Sequence, residues 1–216
     1  MTSVSTKTSR AWPYWLLRFM MQDDPQTFWD LVWSVGGSPP YGGVSFEEAE
    51  AVYHLIEDFR GSGMAPPARY EAVREVIKGH PERELALDLF HCYDEIVSAS
   101  ETYAREIADK GLAIAESISQ PAAVGLFKLF QAGVSTREGK YRDAAALTLE
   151  ALEVLRSAAE NDPACNHRVE QAAQNAVTLT ALAGDKAKAT QVLDDLAEVL
   201  GAHATLQLRH WIARQA

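Results

Sequence analysis

Apolar positions recur along this chain at three- and four-residue intervals, and no stretch of useful length alternates apolar with polar residues. The pattern therefore predicts helices and no sheet. Proline and glycine punctuate the periodic runs. Asp24-Pro25, Pro66-Pro67, His80-Pro81, Gln120-Pro121 and Asp162-Pro163 each precede one, and proline's missing N–H costs nothing at a first helical position. Gly36, Gly61, Gly79, Gly139, Gly184 and Gly201 follow such runs, where a left-handed C-cap is wanted. Ser45-x-x-Glu48 has the form of a capping box. Together these signals predict helices over about 12–21, 25–35, 46–60, 67–78, 81–98, 101–118, 121–138, 141–160, 163–183 and 186–200, with a short tail helix from 202.

The run from Tyr141 to Glu160 carries two adjoining apolar stripes. Tyr141, Ala145, Leu149, Leu152, Leu155 and Ala159 form one; Ala144, Leu147, Ala151, Val154 and Ala158 form the other. A surface helix needs a single stripe, so two predict a helix wedged between neighbours. Three segments follow from composition along the chain: a flexible, Ser/Thr-rich start over 1–10, an aromatic helical part over 11–80, and a hairpin-rich part over 81–216.

Charge narrows the partners. The formal net charge is −10, and the excess falls in residues 46–216, because residues 1–45 hold Lys7, Arg10 and Arg18 against Asp23, Asp24 and Asp30. An acidic body without a Lys/Arg cluster repels phosphate, which argues against nucleic acid and favours basic partner surfaces. Cys92 and Cys165 are the only cysteines; two thiols without metal-type spacing fit a reducing compartment, and a cytoplasmic location is expected. The apolar stretch Ala11–Met21 is too short to cross a bilayer and contains Pro13 and Arg18. It lacks the cleavage pattern of a secretory signal, so no membrane association is expected.

Gly139-Lys140-Tyr141-x-x-Ala144 recurs in outline as Gly184-Asp185-Lys186-x-x-Ala189. Small residues seven apart, Ala144 with Ala151, and more loosely Tyr103-Ala104 with Gly111, accompany these turns. From about residue 81 to 201 the chain resembles tetratricopeptide-type repeats in a degenerate form. The first-helix Leu-Gly pair of that family is here Gln131-Ala132 and Ala176-Val177, and the later aromatic is Ser135 and Thr180. The spacing, longer than the family's usual 34 residues, fits longer helices and other helical-hairpin arrays nearly as well. The fold class expected is all-α: antiparallel helical hairpins stacked as a TPR-like array behind an aromatic N-terminal part. The resemblance implies a groove lined by the first helix of each hairpin. On the helix 163–183 the polar face carries Arg168, Gln171, Gln174, Asn175 and Thr178, and an amide at the position of Asn175 would pair with the backbone of a bound peptide. Solvated side chains are the plainer reading of the same face. Phe130 stands at the matching place one hairpin earlier.

Trp12, Trp15, Trp29 and Trp33, with Tyr14, Phe19 and Phe28, make the N-terminal part the compositional outlier. Their helical spacing suits a core, while paired tryptophans also serve as interface anchors or a self-association surface. Asp88/His91/Glu95 and Glu50/His54/Glu57 each share a helix face, but a paired-metal bundle needs a second Glu-x-x-His, which is missing. Cys165 falls in a first helical turn and Cys92 mid-helix; both are expected to pack. The Gly133 to Gly139-Lys140 spacing misses the phosphate loop by one residue and lacks its Ser/Thr. No Gly-x-Ser-x-Gly or His-Glu-x-x-His occurs. The expectation is a protein without catalytic residues, cofactor or metal: an adaptor or regulator that binds a peptide or helix of another protein. A chaperone, secretion adaptor or toxin-neutralising protein is the close alternative, and a metal- or ligand-binding helical-bundle enzyme the more distant one.

Overall fold

Every expected proline start opens an α-helix or a 3-10 turn, and of the expected glycine stops Gly79, Gly139, Gly184 and Gly201 take a positive φ. The computed structural model describes residues 12–22, 24–36, 44–97 and 103–215; the segment 1–10 expected to be flexible lies outside them. The described residues form eleven α-helices and one 3-10 turn, with no strand among them. They divide into two units, Met1–Asp94 and Glu95–Ala216.

The N-terminal unit holds α1 (Trp12–Gln22), α2 (Pro25–Gly36), α3 (Phe46–Ser62), α4 (Pro67–Val76) and most of α5 (Pro81–Val97). Asp24 caps α2, its carboxylate accepting from the Thr27 N–H and hydroxyl at 3.1 Å each. Ser45 caps α3 by accepting from the Glu48 N–H at 3.1 Å. The stop expected at Gly61 comes at Gly63 instead. Gly61 stays in the helix, whereas Gly63 takes φ +73° and returns its N–H to the Phe59 carbonyl at 2.7 Å.

Aromatic side chains converge on α5: Phe90 meets Phe59 at 4.9 Å and Tyr70 at 6.4 Å, and Tyr93 meets Phe19 at 5.8 Å. These contacts tie α5 to α1, α3 and α4. The boundary therefore falls after Asp94, within α5, where the sequence suggested a break near residue 80.

The C-terminal unit contains α6 (Ala104–Ser117), α7 (Pro121–Arg137), α8 (Tyr141–Ala159), a 3-10 turn (Pro163–Cys165), α9 (Asn166–Leu182), α10 (Lys186–Asp195) and α11 (Ala197–Arg214). Each α-helix packs on the next, and α11 also returns to α9. Small residues set the closest approaches. A Cβ added at Gly111 would lie 2.1 Å from the Phe127 ring, and one at Gly125 would lie 2.5 Å from Leu155 Cγ. The doubly striped helix α8 does have neighbours on two flanks, α7 and α9. Ala132, Ala144, Ala145 and Leu179 form a shared core there, covered by Tyr141 and Leu147.

Two expected helices are modified. The run 163–183 opens with a 3-10 turn because the Asp162 carboxylate accepts from the Ala164 N–H at 3.0 Å. The run 186–200 breaks at Leu196 (φ −104°, ψ 6°), and Gly201 (φ +73°, ψ 163°) kinks α11. The tail helix expected from residue 202 is the distal part of α11.

Candidate functional site

The expected groove residues all fall on α9, a helix with neighbours α8, α10 and α11. That crowding changes their availability. Arg168 is only 7% exposed, and its guanidinium donates to Gln171 Oε1 at 2.6 Å, so it is not the open-face side chain that the sequence pattern suggested. Gln171 and Asn175 are exposed, while Gln174 and Thr178 are half-buried. The Thr178 hydroxyl donates to the Gln174 carbonyl of its own helix at 2.9 Å. Phe130, at the matching place on α7, is half-buried, its ring 6.4 Å from that of Phe127 and steeply inclined to it.

Of these residues, Gln174 enters a defined recess. Beyond the Gly201 kink, α11 and α9 flank an open cleft of about 460 Å³ lined by Gln174, Ala204, Gln207, Leu208, His210, Trp211 and Arg214. This volume lies within the range of about 300–1,000 Å³ typical of ligand clefts. Ala204, Leu208 and half-buried Trp211 supply apolar surface. Gln174 and Gln207 face it from different helices, each with an amide that both donates and accepts. Arg214 and His210, both exposed, are its only ionisable groups. Sequence reasoning missed the six residues from α11. The signal present was the fifth tryptophan, set far from the other four, within a stretch from 202 to 215 that has no Asp or Glu.

In the N-terminal unit the tryptophans separate by environment. Trp12 is 2% exposed and its Nε1 donates to Glu48 at 2.7 Å. Trp15 is half-buried with its ring against Tyr14 at 5.1 Å. Trp29 is 40% exposed under the Arg60 guanidinium, 4.6 Å from the ring centre. The Trp33 side chain lies outside the described residues. Buried Glu48 also accepts from Arg83 at 2.6 Å, so its carboxylate links α1, α3 and α5.

Asp88, His91 and Asp94 of α5 meet α4 and the turn before it. Asp94 accepts from the Ala65 N–H at 2.9 Å and from the Tyr70 hydroxyl at 2.5 Å. The His91 ring stacks on Tyr70 at 3.8 Å, nearly parallel. Asp88 is fully buried 2.7 Å from Arg74. Burial, reinforced by the Arg74 charge, lowers the His91 pKa to about 4. His91 is therefore neutral at pH 7. Glu95 is buried as well.

Of the other grouping, Glu50 and His54 are exposed and Glu57 pairs with Arg60 at 3.1 Å. Among the described residues no cluster of three or more His, Cys, Asp or Glu side chains is arranged to hold a metal ion. Cys92 and Cys165 are fully buried and form no disulfide. No described helix is long and apolar enough to cross a membrane. No protein-family model, curated protein or solved structure matches this chain.

Proposed function

We propose that the protein is a non-catalytic interaction module, an adaptor or regulator, which receives a peptide or helix of another protein in the cleft between α9 and α11. The observation that carries this reading is the cleft lining: an apolar floor with an aromatic side chain, and one amide on each wall. That combination suits a peptide, whose backbone needs donors and acceptors and whose side chains need a dry pocket. We read the C-terminal unit as a TPR-like array in which α7/α8 and α9/α10 are hairpins and α11 closes the series. The buried small residues Ala104, Gly111, Ala144, Ala151 and Ala189 support that reading, since they stand at the positions the repeat pattern requires. A chaperone, secretion adaptor or toxin-neutralising protein would use the same cleft and differ only in the partner.

The test is to pan a displayed peptide library on the whole protein and measure the selected peptides against cleft variants. Trp211→Ala and Gln174→Ala are expected to weaken binding by about tenfold each, in line with about 1–2 kcal/mol per anchoring contact. Asn175→Ala, exposed and outside the cleft lining, is expected to have little effect. Selected peptides that bind both cleft variants as they bind the parent would refute the assignment.

A further inference from the structure

Resting on the cleft reading above, we infer that the occupant of the α9–α11 cleft is an acidic peptide segment, with carboxylates flanking one apolar side chain. The net charge of −10 would favour basic partners at long range. In its lining the cleft departs from that balance. No carboxylate side chain lines it, and its ionisable groups are Arg214 and His210. From Gly201 to Gln215 the chain has no Asp or Glu but holds His203, Arg209, His210 and Arg214. Arg209 is already engaged, its guanidinium 2.5 Å from the Asp194 carboxylate. Among the described residues, the Arg214 guanidinium donates to the His210 carbonyl one turn back in its own helix at 3.3 Å through Nε, which leaves the terminal nitrogens of its planar fork to face a carboxylate.

A second recess of about 450 Å³ shows the contrast: it is lined by Glu160 and Glu170 along with Arg156. The negative end of the α11 dipole opposes an anion near Arg214, but that effect is weaker than a charge-assisted guanidinium–carboxylate bond. The chain's own segment 1–11 has the wrong sign for this site, its ionisable side chains being Lys7 and Arg10. Nucleic acid also fits poorly, because one arginine cannot offset the repulsion of a phosphate chain by an acidic body. An acidic protein segment satisfies each constraint: a carboxylate to Arg214, an apolar side chain onto Leu208 and Trp211, and backbone groups between Gln174 and Gln207.

The experiment is fluorescence anisotropy on the full chain with three fluorescein-labelled peptides. One is Gly-Asp-Glu-Leu-Glu-Asp-Gly; the others replace every acidic residue with Lys or with Gln. The acidic peptide is expected to bind most tightly. Arg214→Glu and Gln207→Glu, both at exposed positions, are each expected to weaken it by about tenfold; Arg214→Glu should also improve binding of the lysine peptide. If the lysine or glutamine peptide binds as well as the acidic one and loses affinity in Trp211→Ala, the cleft stands and the acidic preference is overturned. If no peptide binds, or none responds to Trp211→Ala, Gln207→Glu or Arg214→Glu, the acidic assignment is overturned, while the cleft itself is refuted by selected library peptides that bind Trp211→Ala and Gln174→Ala as they bind the parent.

Discussion

Single buried polar side chains hold the N-terminal unit together, and two of them give measurable signatures. His91 resists protonation in the folded chain, with a pKa of about 4 against an ordinary 6.5. Between those values the unfolded chain binds the extra proton, so stability falls as the pH drops from about 6.5 towards 4, by up to about 3 kcal/mol. His91→Phe keeps a ring against Tyr70 and removes the titration. Thermal melts at pH 7 and pH 5 should show a clearly smaller acid loss in His91→Phe than in the parent; equal losses would rule the residue out as a source. Glu48 is the second case. Removing its carboxylate in Glu48→Ala strips the buried Trp12 indole and Arg83 of an acceptor, and denaturant unfolding should show a loss of about 3 kcal/mol.

At the scale of helices, what could be read from the sequence was what is decided locally. Pro121, Gly139 and Gly184 fixed the ends of α7, α8 and α9 to within a residue or two, because a first-turn proline and a left-handed glycine act on their own backbone. The stop at Gly61 was misplaced because Gly63, two residues further on, is the glycine that takes the left-handed angle. Long-range pairing was less legible. Arg168 looked solvent-facing on a helical wheel, which cannot register that α9 is enclosed by α8, α10 and α11. The cleft depends on α11 folding back along α9, so its α11 side chains carried no signature beyond their composition.

Glycine substitutions separate the two kinds of cause. Gly111→Ala drives a methyl group into the Phe127 ring and should cost about 1–3 kcal/mol in overpacking, partly offset by the better helix propensity of alanine. Gly139→Ala meets no atom within 4 Å, yet its φ of +73° should cost about 1 kcal/mol through the backbone alone. Replacing Phe127 with Leu should relieve the first variant and leave the second unchanged. A Phe127→Leu background that fails to distinguish them would undo the close-approach explanation.

For the whole molecule, the sign of the charge and the location of binding are separate matters. Residues 1–94 carry fourteen acidic and eight basic side chains, and residues 95–216 carry sixteen and twelve; neither unit is basic, and the carboxylate-free cleft is a local exception. Among the described residues of the aromatic N-terminal part, Trp12, Leu16, Phe19, Met20 and Met21 are buried, as their helical spacing suggested. Trp29→Ser, at the exposed one of the described N-terminal tryptophans, is expected to leave the solution mass unchanged by light scattering. The central claim concerns where a partner sits, and hydrogen exchange addresses it directly. With a saturating selected peptide, amide protection should rise over residues 171–178 and 204–214 while the N-terminal unit stays unchanged. Protection confined to the N-terminal unit, or absent from both of those segments, would contradict it.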